Sequence, residues 1–321
     1  MEPTTGAASS LRPLGLGEVL DRAVNLCVRH FTTFALIYLV FAVPLAVFQF
    51  FGTQDQAKVF GALTDMLQQQ AHTGKPADPE QFLKTLSHGP VFNVWTALAL
   101  VSLLLVGPLP KAALISATSA SYLGGSARFA DAYRVALQKW LPLIGINLLY
   151  LGCGFVAYIL LIVVAVVTGL ALSLLVALLH AVGIAIAVAV GLVVVLAVLA
   201  LAVVVGLALQ VSYFTCVVEN VPFVLAFSQG LQRVFQRVGL RRSLLVGLAY
   251  IAIVIGILVV SLLGQSVLFG LLHSNVAGTV YTTAVSIATA AFTTAFVGIF
   301  YFDLRVREEG LDLQLATLPP G

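Results

Sequence analysis

Residues 141–216 read LPLIGINLLYLGCGFVAYILLIVVAVVTGLALSLLVALLHAVGIAIAVAVGLVVVLAVLALAVVVGLALQVSYFTC, with no Asp, Glu, Lys or Arg among them. Water does not solvate an apolar run of this length, but a bilayer does. About 20 apolar residues in helical form cross about 30 Å of hydrocarbon. Inside lipid every backbone polar group must be satisfied within the protein, which leaves helices or closed barrels. The run is continuous rather than alternating, so it reads as helix.

The charges on either side decide how often it crosses. Arg128, Arg134 and Lys139 precede it; Arg233, Arg237, Arg241 and Arg242 follow it. Cytoplasmic flanks attract Lys and Arg, so both ends lie on the cytoplasmic side and the number of crossings is even. Four crossings would leave about 19 residues each and nothing for turns. Two is the expectation: spans over 141–178 and 184–216, with a turn near Leu178–Gly183, where His180 and Gly183 break the Val/Leu/Ala monotony. Each helix would exceed what a bilayer needs, so tilt, a kink near Gly169 or projection beyond the membrane is expected.

Four further spans follow the same logic. They are 31–51, with a kink at Pro44; 91–122, interrupted by Gly107-Pro108-Leu109-Pro110; 243–264; and 279–302. Arg12, Arg22 and Arg29 precede the first, and Arg305 and Arg307 follow the last. The loop 52–90 is less basic, with Lys58, Lys75 and Lys84 against Asp55, Asp65, Asp78 and Glu80, and belongs outside. It holds two candidate helices, one on Val59, Phe60, Leu63, Met66 and Leu67, the other from Asp78-Pro79 through Phe82, Leu83 and Leu86. The expected fold is an all-α integral membrane domain of six transmembrane helices. Both termini are cytoplasmic, with a tail over 303–321. The composition agrees: 60% hydrophobic, 9% charged, mean hydropathy +1.07. Some thirty residues including Glu18 and Asp21 precede the first span, which argues for a retained anchor over a cleaved signal. Cys27, Cys153 and Cys216 sit in apolar surroundings and read as buried small hydrophobes.

Each odd-numbered span follows a short amphipathic basic segment, at 12–30, 126–139 and 221–237. The apolar residues are Leu16, Val19, Leu20, Ala23, Val24 and Cys27; Phe129, Ala132, Tyr133, Ala136, Leu137 and Trp140; and Phe223, Ala226, Phe227, Gly230, Leu231 and Val234. All three follow i, i+3, i+4, i+7, i+8, i+11, one face of a helix. Ser126, and Asn220 with Pro222, are start signals for the second and third. The expectation is three hairpins, each preceded by a cytoplasmic interfacial helix. Any linker helix lying on anionic lipid would look similar.

Three stretches carry a resemblance. They are Arg12-Pro-Leu-Gly-Leu-Gly-Glu-Val-Leu-Asp-Arg-Ala running into Arg29-His30-Phe31; Val218-Glu219-Asn220 with Ala226-Phe227-Ser228 and Leu231; and Tyr301-Phe302-Asp303-Leu304-Arg305-Val306-Arg307-Glu308-Glu309-Gly310-Leu311-Asp312-Leu313. Together they resemble the bacterial glycerophosphoryl diester phosphodiesterase membrane domain family. The resemblance implies a multi-pass protein of a bacterial inner membrane. It implies no activity, because the soluble phosphodiesterase fused to some members has no counterpart after Gly310.

A search for chemistry yields candidates rather than a motif. Gly152-Cys-Gly154-Phe-Val-Ala157 matches a dinucleotide fingerprint only on paper. It lies in an apolar span and reads as helix packing. His30, His72, His88, His180 and His273 make no metal spacing. No catalytic residue, metal ligand or cofactor is assigned, and nucleic acid is not an expected partner. Lys111 stands out as an ionisable residue within a span; it is expected near the cytoplasmic interface, snorkelling. Its alternative is a meeting with an anionic headgroup beside the Pro108 break, with Arg134 and Arg233 as further headgroup contacts. Thr282, Ser286, Thr289 and Thr293 form a polar stripe, either local hydrogen bonding or the wall of a path. Glu219 is expected to pair with a nearby Arg or cap the following helix. Arg305 and Glu309 are spaced i,i+4, and Gly310 suits the C′ position of a helix stop. Asp303, Arg305, Arg307, Glu309 and Gly310 are either that stop or a docking surface for a membrane-protein partner or a second copy.

Three functions are then open. The first is a non-enzymatic scaffold or accessory subunit of an envelope process. The alternative is a transporter or flippase for a lipid or other amphiphile, which requires a cavity opening laterally near Pro108. The third, an intramembrane enzyme, requires facing polar groups at one depth, drawn from Glu219, Lys111, His180 and Asn147.

Overall fold

The computed structural model describes residues 12–73, 94–272 and 275–310, and among them every regular element is helical. The helices are α1 (Leu16–Arg29), α2 (Phe31–Thr73), α3 (Val94–Val101), a π-helical turn (Ser102–Val106), α4 (Pro108–Tyr122), α5 (Phe129–Val218), α6 (Phe223–Phe235), α7 (Arg237–Leu272) and α8 (Asn275–Glu309). Six stretches are long and apolar enough to cross a membrane: Phe31–Gly52, Val94–Tyr122, Phe129–Val164, Ala200–Val218, Leu240–Leu268 and Val276–Glu309. By length and composition this is a multi-pass helical membrane protein.

Several boundaries differ from the sequence reading. Helix α2 does not stop at residue 51; it continues through the loop's first candidate helix to Thr73. Loss of apolar character looks like a loop in sequence, but a helix needs only its own backbone hydrogen bonds to continue. The second candidate helix of that loop, from Asp78, lies outside the described residues. The amphipathic segment 126–139 is not a separate helix, because it is the first part of α5, and Arg128 rather than Ser126 occupies its N-cap. Helix α6 does begin after Asn220 and Pro222, with Pro222 at its N-cap. Asn220 takes φ 59, the left-handed conformation that Asn tolerates better than most residues.

Helix α5, Phe129–Val218, is the longest of the described elements. Yet the Tyr213 hydroxyl donates to Oδ1 of Asn147, and the rings of Tyr150 and Tyr213 lie 5.5 Å apart. A straight helix would put residues 147 and 213 about 100 Å apart at 1.5 Å per residue. The chain therefore reverses between Tyr150 and Tyr213, with helical backbone on either side. No Pro or charge marks the place in sequence.

The core occupies one end of the bundle. Val19, Phe34, Ile115, Ile146, Val211 and Phe300 are all fully buried there. Toward the other end large apolar side chains face outward, such as Leu151 and Leu263. Helix α8 does not leave the core at residue 302: Asp303, Leu304 and Val306 are buried. Lipid tails are as apolar as Leu, so helices in a bilayer associate through close packing and polar contacts rather than hydrophobic burial. Small residues mark those approaches. Ala23, Ala136 and Gly230, which occupy the same position in the three amphipathic patterns, are all buried. A Cβ at Gly230 would meet the Ser212 backbone nitrogen at 2.8 Å, so α6 rests directly on α5. Helix α1 packs on α8 in the same layer. Cys27 and Cys216 are buried as expected for small hydrophobes, whereas Cys153 faces outward.

Candidate functional site

The break in the second span builds one wall of a cavity. The Gly107 N–H donates to the Ser102 carbonyl at 2.9 Å, five residues back, which makes the turn a π-turn. A Cβ at Gly107 would collide with the Leu103 carbonyl oxygen, so only glycine fits the bulge. Pro108 then starts α4 and has no N–H to give. The Leu104 carbonyl, which residue 108 would normally meet, accepts from Nδ2 of Asn147 at 3.2 Å. The Leu105 carbonyl accepts from Nε1 of Trp140 at 2.5 Å. Both donors come from α5. A broken span survives in lipid when neighbouring helices satisfy the freed backbone in this way.

Beside this break lies a cavity of about 1350 Å³, with walls from α2, α3, α4, α5, α7 and α8. Its lining is largely apolar. Leu103, Leu151, Phe155 and Tyr158 line it and are each more than half exposed, so it opens sideways between the π-turn and the first limb of α5. Gly152 and Gly154 also line it, with open space where their Cβ atoms would be. They do not serve the close helix packing expected of them; their lack of side chains keeps the wall clear.

Lys111 lies in the first turn of α4 and reaches this cavity. Its Nζ sits over the Tyr213 ring, 3.4 Å from the centroid. No carboxylate among the described residues pairs with it. Lys111 stands about 16 Å along α4 from Tyr122, and Tyr213 about 9 Å along α5 from Glu219, at 1.5 Å per residue. The ammonium is therefore turned inward on an aromatic face rather than led out along the surface. The nearby Tyr150 hydroxyl is buried without a hydrogen-bond partner. The polar stripe of α8 is bonded to its own helix: Thr289 to the Val285 carbonyl at 2.7 Å and Thr293 to that of Thr289 at 2.8 Å. Of that stripe, Thr293 reaches the cavity.

A second polar assembly closes the packed end of the bundle. Arg233 holds Glu219 with two bonds, Nη1–Oε1 at 2.6 Å and Nη2–Oε2 at 3.0 Å. It also donates to Glu309 at 2.9 Å and to Thr215 at 2.9 Å. The Tyr301 hydroxyl donates to Glu219. Burial opposes the charge on Glu219, but the hydrogen bonds from Arg233 and Tyr301 and the charges of Arg233 and Arg305 hold its carboxyl below the ordinary range. Arg233 is thus an internal residue, 8% exposed, and not the headgroup contact expected of it. The amphipathic pattern shows which face of α6 is covered without showing whether lipid or protein covers it. Arg134 is exposed.

Asp303 is the centre of the other half of this assembly, with a fully buried side chain. It accepts from the Leu14 N–H at 2.8 Å, Arg242 at 3.2 Å and Arg307 at 3.0 Å. Arg242 and Arg307 both donate to the Leu14 carbonyl at 2.8 Å. Arg305 meets Glu309 at 2.8 Å across one turn, as the i,i+4 spacing implies. Gly310 follows the helix with φ 61, the left-handed conformation a C′ glycine takes. Two separated sequence stretches, around Leu14 and around Asp303, are tied here with Arg242; the Glu219 stretch joins through Arg233 and Glu309.

No family model matches the chain, and no curated protein or solved structure matches it either. Lys111 and Pro108 were legible candidates, and Asn147 was named with Lys111 as a polar group within a span; Tyr150 and Tyr213 as neighbours of Lys111 were not. Their only sequence signal is polarity within long apolar runs.

Proposed function

We propose that this protein handles a lipid or similar amphiphile within the bilayer, as a transporter or flippase. The observation that carries this reading is the laterally open, largely apolar cavity with Lys111 at its wall. Its apolar lining suits an acyl tail, and the opening beside the π-turn would give entry from the membrane. The alternative is the scaffold or accessory subunit, which the amphipathic segments and the absence of a catalytic motif suggest; Arg305 and Arg307, its expected contact residues, are engaged within the chain. In the proposed setting the chain lies in a bacterial inner membrane with both termini cytoplasmic, an orientation the basic clusters support. Its three basic amphipathic segments, α1, the start of α5 and α6, introduce three helical hairpins. The likeness to the glycerophosphoryl diester phosphodiesterase membrane domain family supports the location and says nothing of the cargo.

Reconstitution tests this reading. In proteoliposomes carrying a lipid with a fluorescent headgroup, an impermeant reductant should bleach both leaflets, while protein-free vesicles lose only the outer half. Gly154→Trp, which places an indole in the open wall, should return the signal toward the protein-free level. Bleaching equal to that of empty vesicles with the native chain would contradict transbilayer movement.

A further inference from the structure

Lys111 and Tyr150 both flank the Tyr213 ring, one with its ammonium 3.4 Å from the centroid, the other with its own ring at 5.5 Å. Both line the same apolar cavity. The Tyr150 hydroxyl is buried and has no acceptor. The Lys111 ammonium has an aromatic face beneath it and no acceptor among the described residues. The neighbouring acceptor, Oδ1 of Asn147, is taken by the Tyr213 hydroxyl, and the Asn147 amide is committed to the Leu104 carbonyl. Two donors therefore stand against one aromatic ring of a largely apolar cavity, and no described residue supplies an oxygen to either. A buried cation without a counter-charge, and a buried hydroxyl without a partner, are costly. An anionic oxygen brought to that ring would satisfy the ammonium, and charge-assisted bonds of that kind are the strong ones.

We infer that Lys111 and Tyr150 form the headgroup seat of the cavity, and that its ligand is an anionic amphiphile whose phosphate or carboxylate oxygen binds there while its chain lies along the Leu148–Tyr158 wall. This deepens the lipid-handling reading and rests on it. A zwitterionic phospholipid offers the same phosphate but carries a quaternary ammonium beside it, so it brings no net charge to offset Lys111.

The test is native mass spectrometry of the full chain, delipidated in detergent and offered equal amounts of phosphatidylglycerol and phosphatidylcholine with identical chains. Oleate and inorganic phosphate are run as separate arms. The native chain should retain one phosphatidylglycerol with about tenfold preference, because its headgroup alone of the two carries a net negative charge. Lys111→Met should abolish the preference and Lys111→Arg should keep it. Tyr150→Phe, which removes one oxygen and no volume, should weaken retention several-fold. Retention of oleate as well would support a seat that reads the anion itself, and its loss beside retained phosphatidylglycerol would support a phosphate seat. Equal retention of both phospholipids, lost together in Gly154→Trp, would overturn the headgroup assignment and leave the cavity reading intact. Displacement of phosphatidylglycerol by inorganic phosphate alone would overturn the amphiphile. No lipid retained by the native chain would overturn both.

Discussion

Asp303 shows how a single carboxylate can tie sequence ends together. It is buried, and its partners are a backbone N–H from residue 14 and two guanidinium groups from different helices. Removing one member of a buried charged set leaves the others uncompensated, typically at about 3–5 kcal/mol. Asp303→Ala should therefore lower the thermal midpoint in detergent markedly, and hydrogen exchange at the Leu14 amide should become fast. A midpoint close to that of the native chain would mean the tie is ornamental. Glu219 adds a pH dependence with a definite sign. Its folded-state carboxyl titrates below the ordinary 4.5. The stabilisation it provides is complete above that ordinary value and is lost as pH falls through the folded value. Melts should thus weaken on acidification below about pH 4.5, and Glu219→Gln should flatten that acid limb while lowering the plateau.

Elements were legible in sequence to the extent that their cause is local. The spans follow from hydropathy, because a helix must cross lipid whatever surrounds it. Gly107-Pro108 announced a break because proline has no N–H; that the break is a π-turn, with Asn147 and Trp140 supplying the missing donors, depends on α5 and could not be read there. Arg305 and Glu309 were visible as a pair because one turn joins them. Arg233 was misread because amphipathicity is blind to what lies opposite. Lys111, Tyr150 and Tyr213 meet across roughly a hundred residues through a reversal that no local signal places. The π-turn itself is open to test. Gly107→Ala drives a Cβ into the Leu103 carbonyl, and such overpacking typically costs about 1–3 kcal/mol. The chain has two tryptophans, so in a Trp95→Phe background the emission reports Trp140, whose indole holds the Leu105 carbonyl. Gly107→Ala should shift that emission; an unchanged spectrum would place the bulge elsewhere.

At the scale of the molecule the bundle is tight at one end and splayed at the other, with the cavity where the two regimes meet. The tight end is held by ion pairs and close small-residue contacts, and the splayed end presents aliphatic side chains suited to lipid. The reversal within Phe129–Val218 is what brings the two limbs of α5 together beneath Lys111. In a chain stripped of its own cysteines, Asn147→Cys with Tyr213→Cys should crosslink with a short bifunctional reagent within one monomer. A product seen only between monomers would contradict the reversal.

The central claim is that lipid enters this cavity and sits with its head at Lys111. The measurement that addresses it most directly is a high-resolution structure of the protein extracted with its native lipid and no detergent. Elongated density along the Leu148–Tyr158 wall, ending against Lys111 and Tyr150, is expected. A closed contact between the π-turn and α5, with the cavity collapsed and Lys111 paired to a carboxylate of the chain, would contradict it.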